Sequence, residues 1–309
     1  MNQQIWGIDL GGTKIEGVIL PSLNDPTPII RTRIDTESIN GYEHILNQIE
    51  KLVDRMKNES GLQPQSIGFG TPGVLDPHLQ TMKNCNSTAL NGKALKKDIE
   101  DKLKTPVVLA NDANCFALAE THWGIVKEKF PNTKVVFGII MGSGVGGGIV
   151  FDGKLWNGCH GIAGEWGHNP LDDSGGACYC GKTGCVETII SGPALEKFYA
   201  SITRNKITLK EILSRYHQQN DEAAVQTIQR LCHFFGKAVS VVINVLDPDV
   251  IVVGGGVGNI DSLYTEGIKS LDKYIFNNSI AVPIVKPALG DSAGVFGAAA
   301  LVANGNKRF

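Results

Sequence analysis

The chain has 309 residues, 42% of them hydrophobic, enough for one large core or two smaller ones, and two lobes are expected. Its 29 basic and 31 acidic side chains leave a formal net charge of −2, which gives no electrostatic case for nucleic acid or an anionic membrane and points to a small-molecule partner. No apolar run approaches the ~20 residues needed to cross a bilayer, and seven cysteines in a chain without a signal peptide fit a reducing compartment, so a cytoplasmic protein is expected. In chain order, residues 5–10 and 15–20 read as strands, with Gly11-Gly12-Thr13-Lys14 between them as a hairpin turn calling for positive φ. Residues 41–58 place Ile45, Ile49, Leu52, Val53 and Met56 at helical spacing. A short strand over 66–70 ends at Thr71-Pro72-Gly73, and a buried strand over 107–110 ends at Asn111-Asp112 before a helix over 113–123. Residues 135–141 and 148–151 are strands joined by a second glycine loop. They repeat the arrangement of residues 5–20 about 130 residues later, which implies a duplicated fold. Residues 193–238 are mainly helical, 250–253 form a strand running into Gly254-Gly255-Gly256, and 294–304 form a helix of small residues. No Pro- or Ser-rich linker separates the halves.

The 37 glycines exceed the usual share of roughly 7% and cluster at 11–12, 142–148, 164–167 and 254–258, as they do where backbone approaches a ligand. Asp9-Leu10-Gly11-Gly12-Thr13-Lys14 sets an acid at a strand end, then a turn whose amides can face a phosphate, then a hydroxyl and an ammonium. It lacks the spacing of a Walker A loop, and an ordinary Gly-Gly hairpin is the plain alternative. Gly142, Gly144 and Gly147 form a Gly-x-Gly-x-x-Gly pattern. A dinucleotide site would lead into a helix, whereas Ile149-Val150-Phe151 reads as a strand, so the loop is taken as a second phosphate hairpin.

His168, Cys178, Cys180 and Cys185 supply one imidazole and three thiolates, the ligand set of a closed tetrahedral zinc site that leaves no open position for a catalytic water. One disulfide with a spare thiol, or simple packing, is the alternative, and Cys85, Cys115, Cys159 and Cys232 are given the packing reading. A one-residue gap makes a strained disulfide, while turns at Gly181 and Gly184 suit a metal knuckle. His168 would ligate through Nε2 or Nδ1 and keep the other nitrogen for a partner. The isolated His44, His78, His122, His160, His217 and His233 show no ligand spacing. Asp112 stands at the carboxyl end of a buried strand, where active-site residues of open α/β sheets lie, with a helix N-cap as its plain alternative.

Gly164-Glu165-Trp166-Gly167-His168 and the run from Cys178 to Glu187 resemble the signature of the ROK family of sugar kinases and related repressors, and the likeness extends from Asp9–Lys14 through Gly290-Asp291-Ser292-Ala293-Gly294. Within the family, residues 84–92, 164–171, 178–187 and 244–249 are similar to bacterial fructokinases; N-acetylglucosamine kinases share the acid and zinc motifs but differ around 84–92. The resemblance implies an α/β, two-lobed actin-like ATPase fold, ribonuclease H-like and duplicated, with a structural zinc loop. Residues 1–115 plus about 294–309 would form the smaller lobe and 116–293 the larger. It implies transfer of the γ-phosphoryl group of ATP to a hexose hydroxyl, with fructose and its 6-phosphate first and mannose, glucose or an N-acetylhexosamine as alternatives. By the same likeness Asp112 is the general base, and Asn86, Asn91, Asn111, Asp112, Glu165, His168 and Glu187 line the sugar. ATP would meet Asp9, Gly11, Gly12, Thr13, Lys14, Gly142, Ser143 and Gly144, with Gly254, Gly255 and Gly256 on the adenosine side. Asp9 would hold Mg²⁺ through water, zinc would sit on His168, Cys178, Cys180 and Cys185, and the protein would be a homodimer. The family's repressors carry an amino-terminal helix-turn-helix, for which a first strand at about Ile5 leaves no room. A catalytically silent sugar-binding protein is a third class, against which Asp112 beside both phosphate loops speaks.

Overall fold

Ile5–Leu10 (β1) and Lys14–Leu20 (β2), apolar and almost wholly buried, form an antiparallel pair, with Ile8 opposite Gly17 and Leu10 opposite Ile15. The computed structural model describes residues 4–85 and 87–303. The remaining strands are β3 (Ile30–Asp35), β4 (Ile67–Thr71), β5 (Val74–Leu75), β6 (Met82–Lys83), β7 (Val107–Asn111), β8 (Val135–Met141), β9 (Val145–Phe151), β10 (Lys154–Trp156), β11 (Val250–Gly254) and β12 (Ile284–Val285). The helices are α1 (Tyr42–Ser60), α2 (Leu95–Leu103), α3 (Asp112–His122), α4 (Ile125–Lys129), α5 (Glu187–Ile190), α6 (Gly192–Thr203), α7 (Leu209–Gln218), α8 (Glu222–Leu246), α9 (Gly255–Gly258), α10 (Glu266–Leu271) and α11 (Ala293–Ala300).

The strands build two five-stranded sheets of the same design. The first has the order β3-β2-β1-β4-β7, antiparallel from β3 to β1 and parallel from β1 to β7. The second has the order β10-β9-β8-β11-β12, with β10 antiparallel to β9 and with β8, β11 and β12 parallel. An identical order in each half is the duplicated, ribonuclease H-like arrangement of actin-like ATPases, as the repeated hairpin predicts. The second hairpin is tighter than expected: β9 begins at Val145, so residues 142–144 alone form its loop.

The chain divides into two compact units, one of residues 1–132, 148–164 and 288–309 and the other of 133–147 and 165–287. In the first, α1 lays Ile45, Ile49, Leu52, Val53 and Met56 on β2 and β3, each fully buried apolar side chain contributing about 1.5–3 kcal/mol. The helix stops at Gly61, whose left-handed φ of 70° lets its N–H reach Lys57 O. In the second unit, the 25-residue α8 starts at Asp221, whose carboxylate accepts the Ala223 and Ala224 N–H groups at 2.9 and 3.1 Å. It packs along α10 and α6 through positions that include Ala224, Leu231, Phe235 and Val239.

The turn between β1 and β2 departs from expectation. Neither Gly11 nor Gly12 has positive φ. Glycine is required at Gly11 by space, since a Cβ there would stand 2.9 Å from Lys14 O.

Candidate active site and metal knuckle

In the first unit the β1–β2 loop is closed by the Gly11 N–H donating to Lys14 O at 3.0 Å. Its carbonyls are taken by neighbours: Thr36 donates its N–H to Thr13 O (2.9 Å) and its hydroxyl to Gly11 O (2.7 Å), and the Ser38 hydroxyl donates to Gly12 O (2.8 Å). With its acceptors occupied, the loop has backbone donors left to offer an anion. Thr36 and Ser38 carry no spacing that would have marked them in the sequence. Ser87 Oγ lies 3.3 Å from where a Cβ on Gly12 would stand, which sets the segment around 84–92 beside this loop.

Asp9, at the end of β1, fits between two glycines: a Cβ on Gly294 would stand 2.9 Å from its Oδ2 and one on Gly70 3.2 Å from its Oδ1. Burial, with the negative charges of Asp112 and Glu16, pushes the Asp9 carboxyl up to about 6, against the pull of Lys14. Such an excess of negative charge is what a divalent cation relieves, so the residues present fit Mg²⁺. Glu16 is buried and balanced on the neighbouring strand by Arg31 Nε at 2.6 Å and Arg33 at 3.3 Å.

Asn111, not Asp112, caps α3. Its Oδ1 accepts the Asn114 N–H at 2.7 Å, so Asp112 is released from the capping role and opens the helix as its first residue. Asp112 as a residue keeps exposed surface, while its carboxyl is packed among protein atoms. Protein packed around it raises its pKa above the usual carboxylate range, although the Ala113 N–H donates to Oδ1 at 2.8 Å. Asn91 spends both ends of its amide on Cys85, accepting that residue's N–H at 2.8 Å and donating to its carbonyl at 3.2 Å, and thereby shapes the 84–92 loop. Asn86 lies outside the described residues.

The second unit carries the knuckle. His168, Cys178, Cys180 and Cys185 place one donor atom each within 4.8 Å of one another, and all seven cysteines are free thiols. Cys178 Sγ lies 3.6 Å from His168 Nδ1, and Cys180 Sγ lies 3.6 Å from Cys185 Sγ. Metal–sulfur bonds of ~2.3 Å and a metal–nitrogen bond of ~2.0–2.1 Å give tetrahedral edges of about 3.5–3.8 Å, so the donor set fits zinc and the disulfide alternative falls. Gly181 and Gly184 take φ of 87° and 68°, and the Cys178 N–H donates to Lys182 O at 2.8 Å, which turns the three sulfurs inward. Of the two ring nitrogens left open by the sequence, Nδ1 faces the sulfurs, and Nε2 meets the Tyr179 hydroxyl at 3.0 Å.

Trp166 anchors the 165–168 segment: its Nε1 donates to Gly146 O at 3.0 Å, and its ring meets Phe137 edge-on at 6.0 Å. Glu187, two residues beyond Cys185, accepts the Val145 N–H at 2.9 Å through Oε2. The loop of Gly142, Ser143 and Gly144 is further tied by the Gly192 N–H donating to Gly142 O at 2.8 Å. Gly254, Gly255 and Gly256 form the junction of β11 and α9, where Gly255 has φ of 83° and a Cβ would strike Met141 O. Added Cβ atoms on Gly142 and Gly256 would meet nothing, and neither residue has positive φ, so neither fold nor packing requires glycine there.

The model of the ROK family matches residues 5–304. The N-acetyl-D-glucosamine kinase of Vibrio parahaemolyticus serotype O3:K6 is 34% identical over 307 residues, covering 96% of this chain and 98% of that protein. The ROK hexokinase of Thermus thermophilus superposes with a TM-score of 0.86 at 28% identity, over 97% of each chain. The ROK family glucokinase of Streptomyces griseus, solved with glucose and AMPPNP, does so with a TM-score of 0.76 at 27% identity, over 98% of this chain and 100% of that one. The family's model spans nearly the whole sequence and a relative 34% identical covers 96% of it, so the chain belongs to the ROK family of sugar kinases.

Proposed function

We propose that this ATP-dependent sugar kinase phosphorylates a free hexose with Asp112 as the general base, and that fructose, converted to its 6-phosphate, is the preferred substrate. The observation that carries the base assignment is Asp112 itself, directly after β7, released from capping and raised in pKa by the protein packed around its carboxyl. Asp112 takes the proton of the attacking hydroxyl, and the remaining hydroxyls go to Glu165, His168 and Glu187, with Asn111 and the 84–92 loop, Asn86 and Asn91 included, shaping the sugar's surroundings. The triphosphate is received by Gly11, Gly12, Thr13 and Lys14 and by Gly142, Ser143 and Gly144. Gly254, Gly255 and Gly256 lie on the adenosine side, and room for the adenosine accounts for glycine at Gly256, where packing does not demand it. Asp9 would hold Mg²⁺ through water, and the ion would supply charge neutralisation at the phosphates. Zinc on His168, Cys178, Cys180 and Cys185 supplies rigidity alone.

The similarity of residues 84–92, 164–171 and 178–187 to bacterial fructokinases supports fructose. A second reading, an N-acetylhexosamine, is favoured by the N-acetyl-D-glucosamine kinases of Vibrio parahaemolyticus and Mannheimia succiniciproducens, 34% and 36% identical to this chain. Values of kcat/KM for fructose, mannose, glucose, N-acetylglucosamine and N-acetylmannosamine separate the two. The highest value for fructose is expected, and the highest for an N-acetylhexosamine would overturn that choice. The protein would act as a cytoplasmic homodimer; no helix among the described residues is long and apolar enough to cross a membrane. Exposed Val241 and Val245 on α8 and exposed Phe276 offer apolar surface for self-association, which sedimentation would detect.

A further inference from the structure

Glu120, in the last turn of α3, is 0% exposed. Burying a carboxylate is costly unless donors satisfy it. Among the described residues those donors are backbone N–H groups: Oε2 accepts from Ile125 at 2.9 Å and from Ala288 at 3.0 Å, and Oε1 accepts from Leu289 at 2.9 Å. Gly124 makes room for this, since a Cβ there would strike the carboxylate. Ile125 opens only the short α4, whereas Ala288 and Leu289 stand 168 and 169 residues away in sequence and lead directly to α11. The chain makes one turn over 290–292, where Arg31 Nη1 donates to Ser292 Oγ at 3.0 Å, and enters α11 at Ala293. At the next residue, Gly294, a Cβ would stand 2.9 Å from Asp9 Oδ2. One turn further, the α11 backbone at Gly297 lies against Cys115 O of α3 with no space for a Cβ. All of these residues belong to the first unit.

We infer that Glu120 is a positioning residue for Asp9: by accepting the Ala288 and Leu289 N–H groups it sets where α11 begins, and so holds the Gly294 backbone against the Asp9 carboxylate. The helix that opens with Asp112 thus also carries, two turns on, the group that fixes the wall beside Asp9. Glu120 touches neither substrate nor ion. It acts through α11, whose close approach at Gly294 limits the positions open to the Asp9 oxygens, and outer partners of this kind tune a cation site by orienting the group that meets the ion.

The inference rests on the reading of Asp9 as the Mg²⁺ residue, and Asp9→Asn shows separately whether that reading fails. Glu120→Gln keeps the size of the side chain and replaces one acceptor oxygen by an amide NH₂, which cannot accept an N–H. Gly124→Ala leaves Glu120 in place and displaces its carboxylate from outside; its φ of −100° suits alanine. Leu52→Ala, in the core under α1, is a control that lowers stability elsewhere in the same unit. Calorimetric titration of each protein with AMPPNP, with and without Mg²⁺, gives the gain in affinity due to the ion, free of turnover, and thermal melts give stability. The expected gain is roughly 10-fold smaller in Glu120→Gln than in the wild type, reduced in Gly124→Ala and unchanged in Leu52→Ala despite its lower melting point. An undiminished gain in Glu120→Gln and Gly124→Ala overturns the inference, as does an equal reduction in Leu52→Ala, which would make the effect one of stability alone. If Glu120→Gln does not fold, Gly124→Ala against Leu52→Ala decides. If Asp9→Asn keeps the full gain, the Asp9 reading fails and the inference falls with it.

Discussion

The Glu187 carboxylate accepts the Val145 N–H at 2.9 Å and thereby ties this acid, proposed to meet the sugar, to the loop of Gly142, Ser143 and Gly144. One side chain thus links a residue two positions from the Cys185 thiol to the entrance of β9, within a single unit. Substitution separates charge from geometry. Glu187→Gln keeps an oxygen for the Val145 N–H, so the KM for ATP stays near the wild-type value while the KM for sugar rises. Glu187→Ala removes the acceptor; the loss of a hydrogen bond to a charged group costs about 1.5–3 kcal/mol, and both KM values rise. Steady-state kinetics and urea unfolding of the two variants check this, and equal KM for ATP in both would contradict it.

Asp9 makes stability depend on pH in an unusual direction for a carboxylate. Its pKa is raised from 3.8 to about 6, so the folded protein holds this proton where the unfolded chain has lost it. The contribution is fully present below the unfolded value and is lost as pH rises through the folded one. At 1.36 kcal/mol per unit, the loss between about pH 4 and 6 reaches about 3 kcal/mol. Asp9→Asn removes it. Urea unfolding without divalent ions should show the variant more stable than wild type at pH 7.5 and equal to it near pH 3.5. A variant less stable at pH 7.5 contradicts the electrostatic picture. With Mg²⁺ and ATP present, the same variant should lose activity.

Metal removal should act on shape, not on a bound nucleophile. Chelation, or Cys180→Ser, is expected to lower the unfolding midpoint and raise the sugar KM more than it lowers kcat, because the knuckle fixes His168 directly and Glu187 through Cys185. Thermal melts and kinetics with and without added Zn²⁺ check this. A fall in kcat at unchanged KM would assign the metal to chemistry.

The sequence carried the repeated hairpins because strand alternation and glycine loops are local signals, and it carried the knuckle because ligand spacing is local too. What it hid was decided by contacts between distant segments. Residues 30–35 form an edge strand whose Arg31 and Arg33 make sense only beside the buried Glu16. Thr36 and Ser38 matter because they occupy carbonyls of the β1–β2 loop. The Gly-Gly pair suggests a φ requirement, whereas close approach to Lys14 O is the constraint on Gly11. Asn111 and Asp112 are neighbours with interchangeable capping chemistry, and only the Asn111–Asn114 hydrogen bond shows which of them is free.

The central claim is that Asp112 takes the proton of a sugar hydroxyl during phosphoryl transfer from ATP, and it is tested most directly by sugar-dependent ADP release. Wild-type protein and Asp112→Asn are assayed with ATP and Mg²⁺ across the hexose panel, alongside calorimetric sugar binding. Sugar-stimulated ADP release in the wild type, a kcat lower by about 10²–10⁴ in the variant and sugar affinity retained in both are predicted. ADP release that no sugar stimulates, or a variant with undiminished kcat, would contradict it.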